Sequence, residues 1–309
     1  MKLIFCGTPA FAVPTLEKFV EAGFEVALVV TQPDRSRGRG LEIDASPVKQ
    51  KAIQLGLHVT QPHTIKNNTE FRAQIEGLNP DAIVVVGYGR IIPQWMIDLP
   101  RFGNINLHAS LLPKYRGAAP IQWAIANGER VTGVTAMRID AGLDTGDILQ
   151  QKEVAIGPDD TAITLGPKLA EIGSEVMVDT LRGLLADKVK PQPQDHTSAT
   201  LAPILKKEDG RIDFRRPAEV ICDRMRGFQP WPGAFTIFRQ KILNISKAKS
   251  IGRETAIAEL LLEDDQLLAG CGNGTSLSII ELQPEGKRRM SARDFIQGYR
   301  PRNAELLGR

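Results

Sequence analysis

The chain has 309 residues, a formal net charge of +3 at pH 7 and three cysteines. That length is long for one domain and comfortable for two, each with enough chain to bury a core. Cys6, Cys222 and Cys271 show no CxxC spacing, which excludes a disulfide framework or a zinc set and fits a reducing cytosol. No stretch reaches the roughly 20 apolar residues needed to span a bilayer, and the opening MKLIFC imitates a secretion signal only until Gly7, Thr8 and Pro9 break its apolar run.

In chain order, residues 3–6, 25–30, 82–86 and 105–107 read as strands, with amphipathic helices over 15–22, 47–55 and 69–78 between them. This alternation predicts an α/β domain built on a Rossmann-like parallel sheet. Ligands bind such sheets beyond the carboxyl ends of the strands, so Gly7 to Pro9, the segment 87–90 and the turn after Asn106 and His108 are expected to share one crevice. A strand over 134–139 and a long helix over 162–185 complete the domain. Residues 190–200, KPQPQDHTSAT, are polar, punctuated by proline and without period, which reads as an extended linker. A helix over 217–225 and strands over 234–238, 242–245, 256–262 and 276–282 then predict a small β-barrel. The expected division is a first domain over 1–189, a linker over 190–208 and a second domain over 209–309.

Charge is distributed unevenly along this plan. Residues 205–309 hold 19 Lys and Arg against 14 Asp and Glu, whereas 1–204 hold 20 against 22. A basic second domain favours an anionic partner. The segment TQPDRSRGRG at 31–40 carries Arg35, Arg37 and Arg39 with two glycines and reads as a mobile surface loop able to order against RNA phosphates. Lys287, Arg288 and Arg289, with Arg293, add positive charge later in the chain. Trp231, in FQPWPG, reads first as a packing anchor and second as a base-stacking platform. His58, His63 and His196 have no partner at metal-ligand spacing and read as structural or surface residues.

Chemistry concentrates in GNINLHASLLPKYRG at 103–117 and DAGLDTGD at 140–147. Side chains alternate faces along a strand, so Asn106 and His108 point one way while Ile105 and Leu107 point into apolar packing. An amide holds an oxyanion, an imidazole moves protons, and the Asp144 carboxylate orients the imidazole, a set suited to acyl transfer to an amine. The same residue types also cap strand-end loops. The Gly- and Asp-rich company of these three is what raises the catalytic reading. GYGRIIP at 87–93 offers apolar side chains and unpaired backbone groups of the kind a flat heteroaromatic ring needs, while CGTPA at 6–10 lacks the glycines and lysine of a nucleotide-binding turn.

The segments NLHASLLPKYRG at 106–117 and DAGLDTGD at 140–147 resemble the folate-dependent formyltransferases. FCGTPAFAVP at 5–14, QPDR at 32–35, SPVK at 46–49 and GFQPWPG at 227–233 extend the likeness to members acting on methionine esterified to initiator tRNA, over essentially the whole chain. The resemblance implies transfer of a formyl group from 10-formyltetrahydrofolate to the α-amine of methionyl-initiator-tRNA, without a metal, by a monomer in the cytoplasm. It implies that Asn106, His108 and Asp144 are catalytic. It assigns the folate to Gly89, Arg90, Ile91, Ile92, Ser110, Leu111, Leu112, Pro113 and Asp140. It gives tRNA contacts to Arg35, Arg37, Arg39, Lys206, Lys207, Lys287, Arg288 and Arg289, with an OB-type second domain. The chain departs from its relatives at Leu41 to Asp44, LEID, where lysines are commoner, so fewer phosphate contacts are expected there. The alternatives are a formyltransferase acting on an amino sugar or on glycinamide ribonucleotide, and a non-catalytic RNA-binding protein on an enzyme fold.

Overall fold

A computed structural model describes residues 1–37, 42–263 and 265–308, without the side chains of 35–37, 42 and 43. The chain gathers into two units. The first comprises Met1–Pro120, Val131–Ala155 and Gly166–Ala202, and the second Ile121–Arg130, Ile156–Leu165 and Pro203–Arg309.

The first unit is built on strands β1 (Lys2–Gly7), β2 (Glu25–Val30), β3 (Val59–Thr60), β4 (Ala82–Val86), β5 (Asn104–His108), β6 (Val131–Arg138) and β7 (Ile148–Ala155), in spatial order β7-β6-β5-β4-β1-β2-β3. From β5 to β3 all neighbours are parallel, whereas β6 and β7 run antiparallel to their neighbours. Helices α1 (Val13–Glu21), α2 (Pro47–Gln54) and α3 (Thr69–Leu78) connect the early strands. The starts of α2 and α3 are chemically marked: Ser46 Oγ accepts from the Lys49 N–H, and the Asn68 side chain from the Phe71 N–H, each satisfying a donor the helix leaves open. Ile4, Cys6, Leu28, Val30, Ile83 and Val85, two apart on three strands, form one sheet face against Phe71, Ile75 and Met96. The long helix α4 (Ala162–Leu185) has the predicted bounds.

Several features differ from the sequence expectation. β7 was not expected, because Gln150, Gln151, Lys152 and Glu153 hide its alternation; it is an edge strand with half of its residues exposed. The polar stretch after α4 is extended and hydrogen-bonded into the first unit: Gln192 exchanges two backbone bonds of 2.8 Å with Ile148, and Leu201–Ala202 pairs in parallel with Arg116–Gly117. Within the segment read as a mobile loop, Arg35–Arg37 instead pairs antiparallel with Glu42–Asp44 in a separate two-stranded sheet, Arg35 opposite Asp44 and Arg37 opposite Glu42.

The second unit carries strands β8 (Phe235–Phe238), β9 (Lys241–Ile251), β10 (Leu260–Glu263), β11 (Gln266–Gly270) and β12 (Ser276–Pro284), antiparallel in the order β8-β9-β12-β11-β10. Register shifts between β9 and β12 around Lys247 bend the sheet, which curls as a half-barrel. Helices α5 (Ala218–Gly227) and α6 (Ala292–Tyr299) bury Ile221, Met225 and Phe295 against Phe238, Leu243, Leu277 and Ile279. The sequence expectation missed β11 and α6 and began the strand before β11 four residues early. Among the described residues no helix is long and apolar enough to cross a membrane.

Candidate active site

His108 is the last residue of β5, held between β4 and β6 and only 6% exposed. Its Nε2 lies 2.8 Å from the backbone oxygen of Tyr115. A carbonyl only accepts, so Nε2 carries a hydrogen and donates it. The nitrogen left for chemistry is Nδ1, which sits 3.6 Å from Asp144 Oδ2, beyond direct hydrogen-bond reach. The Asp144 carboxylate is itself anchored, since Oδ2 accepts the Gly117 N–H at 2.8 Å. Asn106, two residues before His108 on the same face, is half-buried, and its side chain makes no internal hydrogen bond among the described residues.

Asp144 lies beside His108, and the 140–147 turn that carries it, between β6 and β7, folds back tightly. The Arg138 N–H donates to Asp147 O at 2.9 Å, and Asp140 Oδ1 accepts from the Gly142 N–H at 3.0 Å and from Thr145 Oγ1 at 2.7 Å. A Cβ at Gly146 would lie 2.0 Å from Arg138 O, so the close approach of the two legs requires glycine there. Asp144 itself takes a left-handed conformation, φ 51°.

The segment after β4 lies beside this site because Val85 pairs with Asn106 in parallel register. Gly87 and Gly89 have φ of 57° and 73°, and Gln32 Nε2 donates to the Tyr88 oxygen at 2.7 Å, pinning the turn. Among the described residues the N–H groups of Arg90, Ile91 and Ile92 have no internal partner. Ile91 is 93% exposed while Ile92 is buried. An apolar side chain standing in solvent beside open backbone donors fits a flat heterocycle bound through main-chain groups. The Arg90 guanidinium points elsewhere, to the His63 oxygen. Thr8 Oγ1 donates to the Tyr88 oxygen at 3.4 Å, so the turn after β1 meets the turn after β4 as the parallel topology predicts. Burial pushes the Tyr88 phenol and the Cys6 thiol above their usual ranges, which keeps both neutral and removes Cys6 from consideration as a nucleophile.

Ser110 and Leu112 are framework. Ser110 is fully buried and its hydroxyl donates to Lys114 O at 2.6 Å; Thr135 Oγ1 donates to Ser110 O and receives the Leu112 N–H. Leu111 and Pro113 are half-buried beside them, and Asp140 is exposed. No group of His, Cys, Asp and Glu able to hold a metal occurs among the described residues.

Residues 1–181 match the formyl transferase family model, and 204–300 match that of the formyl transferase C-terminal domain. The chain is 62% identical to the methionyl-tRNA formyltransferase of Koribacter versatilis over 309 residues, 100% of this chain and 99% of that one. The chain belongs to the methionyl-tRNA formyltransferases. A second member of the family, from Acidobacterium capsulatum, is 60% identical over 96% of each chain. Among solved structures, the sugar 3N-formyl transferase WlaRD, determined with dTDP and 5-N-formyl-THF, superposes with a TM-score of 0.68 at 19% identity, covering 93% of this chain and 99% of that one. The methionyl-tRNA formyltransferase of Clostridium thermocellum superposes with a TM-score of 0.54 at 21% identity, covering 81% and 93%. At these identities the likeness shows a shared fold.

Two buried residues to which the sequence assigned no role lie beside the candidate site. Arg116 donates through Nε and Nη2 to Gln194 Oε1 at 3.1 and 2.6 Å, and its Nη2 lies 3.1 Å from His196 Nδ1. Gln194 and His196 come from the stretch read as a linker, and neither lies in a motif. Of the proposed RNA contacts, Lys206, Lys207, Lys287, Arg288 and Arg289 are exposed on the second unit, with Arg289 4.0 Å from Glu281. Arg35 and Arg37 are described only as backbone, and Arg39 lies outside the described residues.

Proposed function

We propose that this enzyme transfers a formyl group from 10-formyltetrahydrofolate to the α-amino group of methionyl-initiator-tRNA, in support of translation initiation, and that Asn106, His108 and Asp144 carry the chemistry. The observation that carries the reading is the fixed histidine: with Nε2 committed to the Tyr115 oxygen, Nδ1 is the reactive nitrogen, with Asp144 beside it. The donor supplies the electrophilic formyl carbon. The unengaged Asn106 amide donates to the oxygen on which charge develops, protonated Nδ1 supplies a second donor, and Asp144 takes up the proton that the amine releases, directly or through water; the bond from the formyl carbon to N10 of the donor then breaks, and N10 leaves as the neutral amine of tetrahydrofolate with a proton passed back from the His108 and Asp144 pair.

The donor's ring is assigned to the open backbone of residues 89–92, with the 110–113 segment and Asp140 bordering it. The acceptor RNA is assigned to the 35–39 arginines and to the exposed cations of residues 206, 207 and 287–289, with 1–189 as the catalytic part, 190–208 as connector and 209–309 as the RNA-binding part. The three free cysteines suit a cytoplasmic protein, and a monomer is the assembly proposed. An acceptor comparison tests the substrate assignment. With one formyl donor, the purified protein formylates methionyl-initiator-tRNA and leaves free methionine and a nucleotide-linked amino sugar unmodified; transfer to the sugar alone overturns it.

A further inference from the structure

We infer that Gln194 is a positioning residue for Asp144, and that Arg116 sets the orientation in which it acts. The inference rests on the catalytic reading of Asp144 given above.

The orientation of the Gln194 amide follows from its neighbours. A guanidinium has five donors and no acceptor, so the atom facing Arg116 Nε and Nη2 must be Oε1. Nε2 therefore faces the other way, and it meets two acceptors: the main-chain oxygens of Asp144 at 2.9 Å and Gly146 at 2.7 Å. Both of its hydrogens are used. The chain then closes a ring, because Gly117, the residue after Arg116, donates its N–H to the Asp144 carboxylate. Asp144 is gripped at its side chain and at its backbone by groups tied to one two-residue spine. That spine is fixed by pairing with Leu201–Ala202 and by the Arg116 N–H donating to Thr200 O at 2.9 Å.

Burial makes the arrangement stiff. Arg116 is 7% and Gln194 6% exposed. The buried Arg116 guanidinium directs two donors at the Gln194 oxygen, and rotation of that amide would set donor against donor. A buried amide that served Arg116 alone would need no contact with the Asp144 turn. Here both donors are spent on the turn whose far end places Oδ2 3.6 Å from His108 Nδ1.

The test is Gln194→Glu, which keeps an oxygen for Arg116 and removes both donors to the turn. The rate of formyl transfer at saturating donor and methionyl-initiator-tRNA is expected to fall about 10- to 100-fold through misplacement of Asp144, with KM for the tRNA within about twofold. In an Asp144→Ala background, Gln194→Glu should cost nothing further, since it acts through Asp144. If Gln194→Glu fails to fold, Gln194→Met, of similar volume and uncharged, takes the same readings. Wild-type turnover in the folded Gln194 variant, with Asp144→Ala inactive, overturns this inference and leaves the catalytic reading standing. Wild-type turnover in Asp144→Ala overturns the catalytic reading itself.

Discussion

His108 gives up one ring nitrogen to a main-chain oxygen, and that single bond decides what each neighbour can do. Nε2 cannot serve as a base while it donates to Tyr115 O, so the proton traffic proposed for this site is assigned to Nδ1 and Asp144. Asn106 differs in having its amide uncommitted. Replacing it by leucine removes a donor aimed at developing charge and should lower the transfer rate about 10²- to 10³-fold, with little change in protein stability; a single-turnover assay reads this, and a rate within threefold of wild type contradicts the role. Gly146 makes a different prediction. Alanine there places its Cβ 2.0 Å from Arg138 O, so the turn must open. Urea denaturation should show a loss of about 1–3 kcal/mol, typical of forced overpacking, accompanied by a lower transfer rate. An unchanged midpoint would mean the turn tolerates a shift that the structure forbids.

At the scale of elements, β5 supplies the face proposed to be reactive, and Gln194, at the start of the 194–198 turn, holds the 140–147 turn beside it. Asp195 caps that turn: its carboxylate accepts from Ser198 Oγ, from Thr197 Oγ1 at 2.6 Å and from the Thr197 N–H at 3.0 Å, which together lower its pKa to about 2. A carboxylate depressed on folding stabilises above its unfolded value, 3.8, and the contribution is lost as pH falls from there toward 2. Stability measured between pH 2 and 6 should therefore decline less steeply toward acid in Asp195→Asn than in the parent; equal slopes would show that the cap is not formed in solution.

The parallel strands were legible because they are short, continuous apolar runs rich in valine and isoleucine, such as AIVVV at 82–86, buried on both faces; Leu28 and Val30, like Ile83 and Val85, turn the same face to one core. Asn106, His108 and Asp144 stood out as candidates because their residue types suit the chemistry, and the structure sets the His108 ring 3.6 Å from the Asp144 carboxylate. β7 was not, since an edge strand such as Gln150 to Glu153 solvates its own side chains and carries no apolar period. Gln194 was hidden for another reason. It works through a neutral amide in a polar, proline-broken stretch, and only the paths of Leu201–Ala202 and Ile148 bring it under Asp144.

For the whole molecule, the uneven charge along the chain has a measurable meaning. Lys287, Arg288 and Arg289 are consecutive exposed cations on the second unit. As phosphate contacts they would each contribute about one counterion to the salt dependence of RNA binding, so replacing all three by alanine should flatten the slope of log K against log salt by up to about 3, equally for initiator and elongator tRNA. An unaltered slope would place the RNA elsewhere. On the first unit the hairpin register sets Arg35 opposite Asp44 and Arg37 opposite Glu42, so the arginines there stand across from acidic positions. The second unit should accordingly carry the larger share of the salt dependence.

The most direct test of the account is the single-turnover rate of formyl transfer to methionyl-initiator-tRNA by His108→Ala, read beside its tRNA affinity. The account predicts a rate lower by about 10²- to 10⁴-fold, the range for losing a positioned acid–base group, with affinity within twofold of the parent. A variant that transfers formyl at the parent's rate would contradict it.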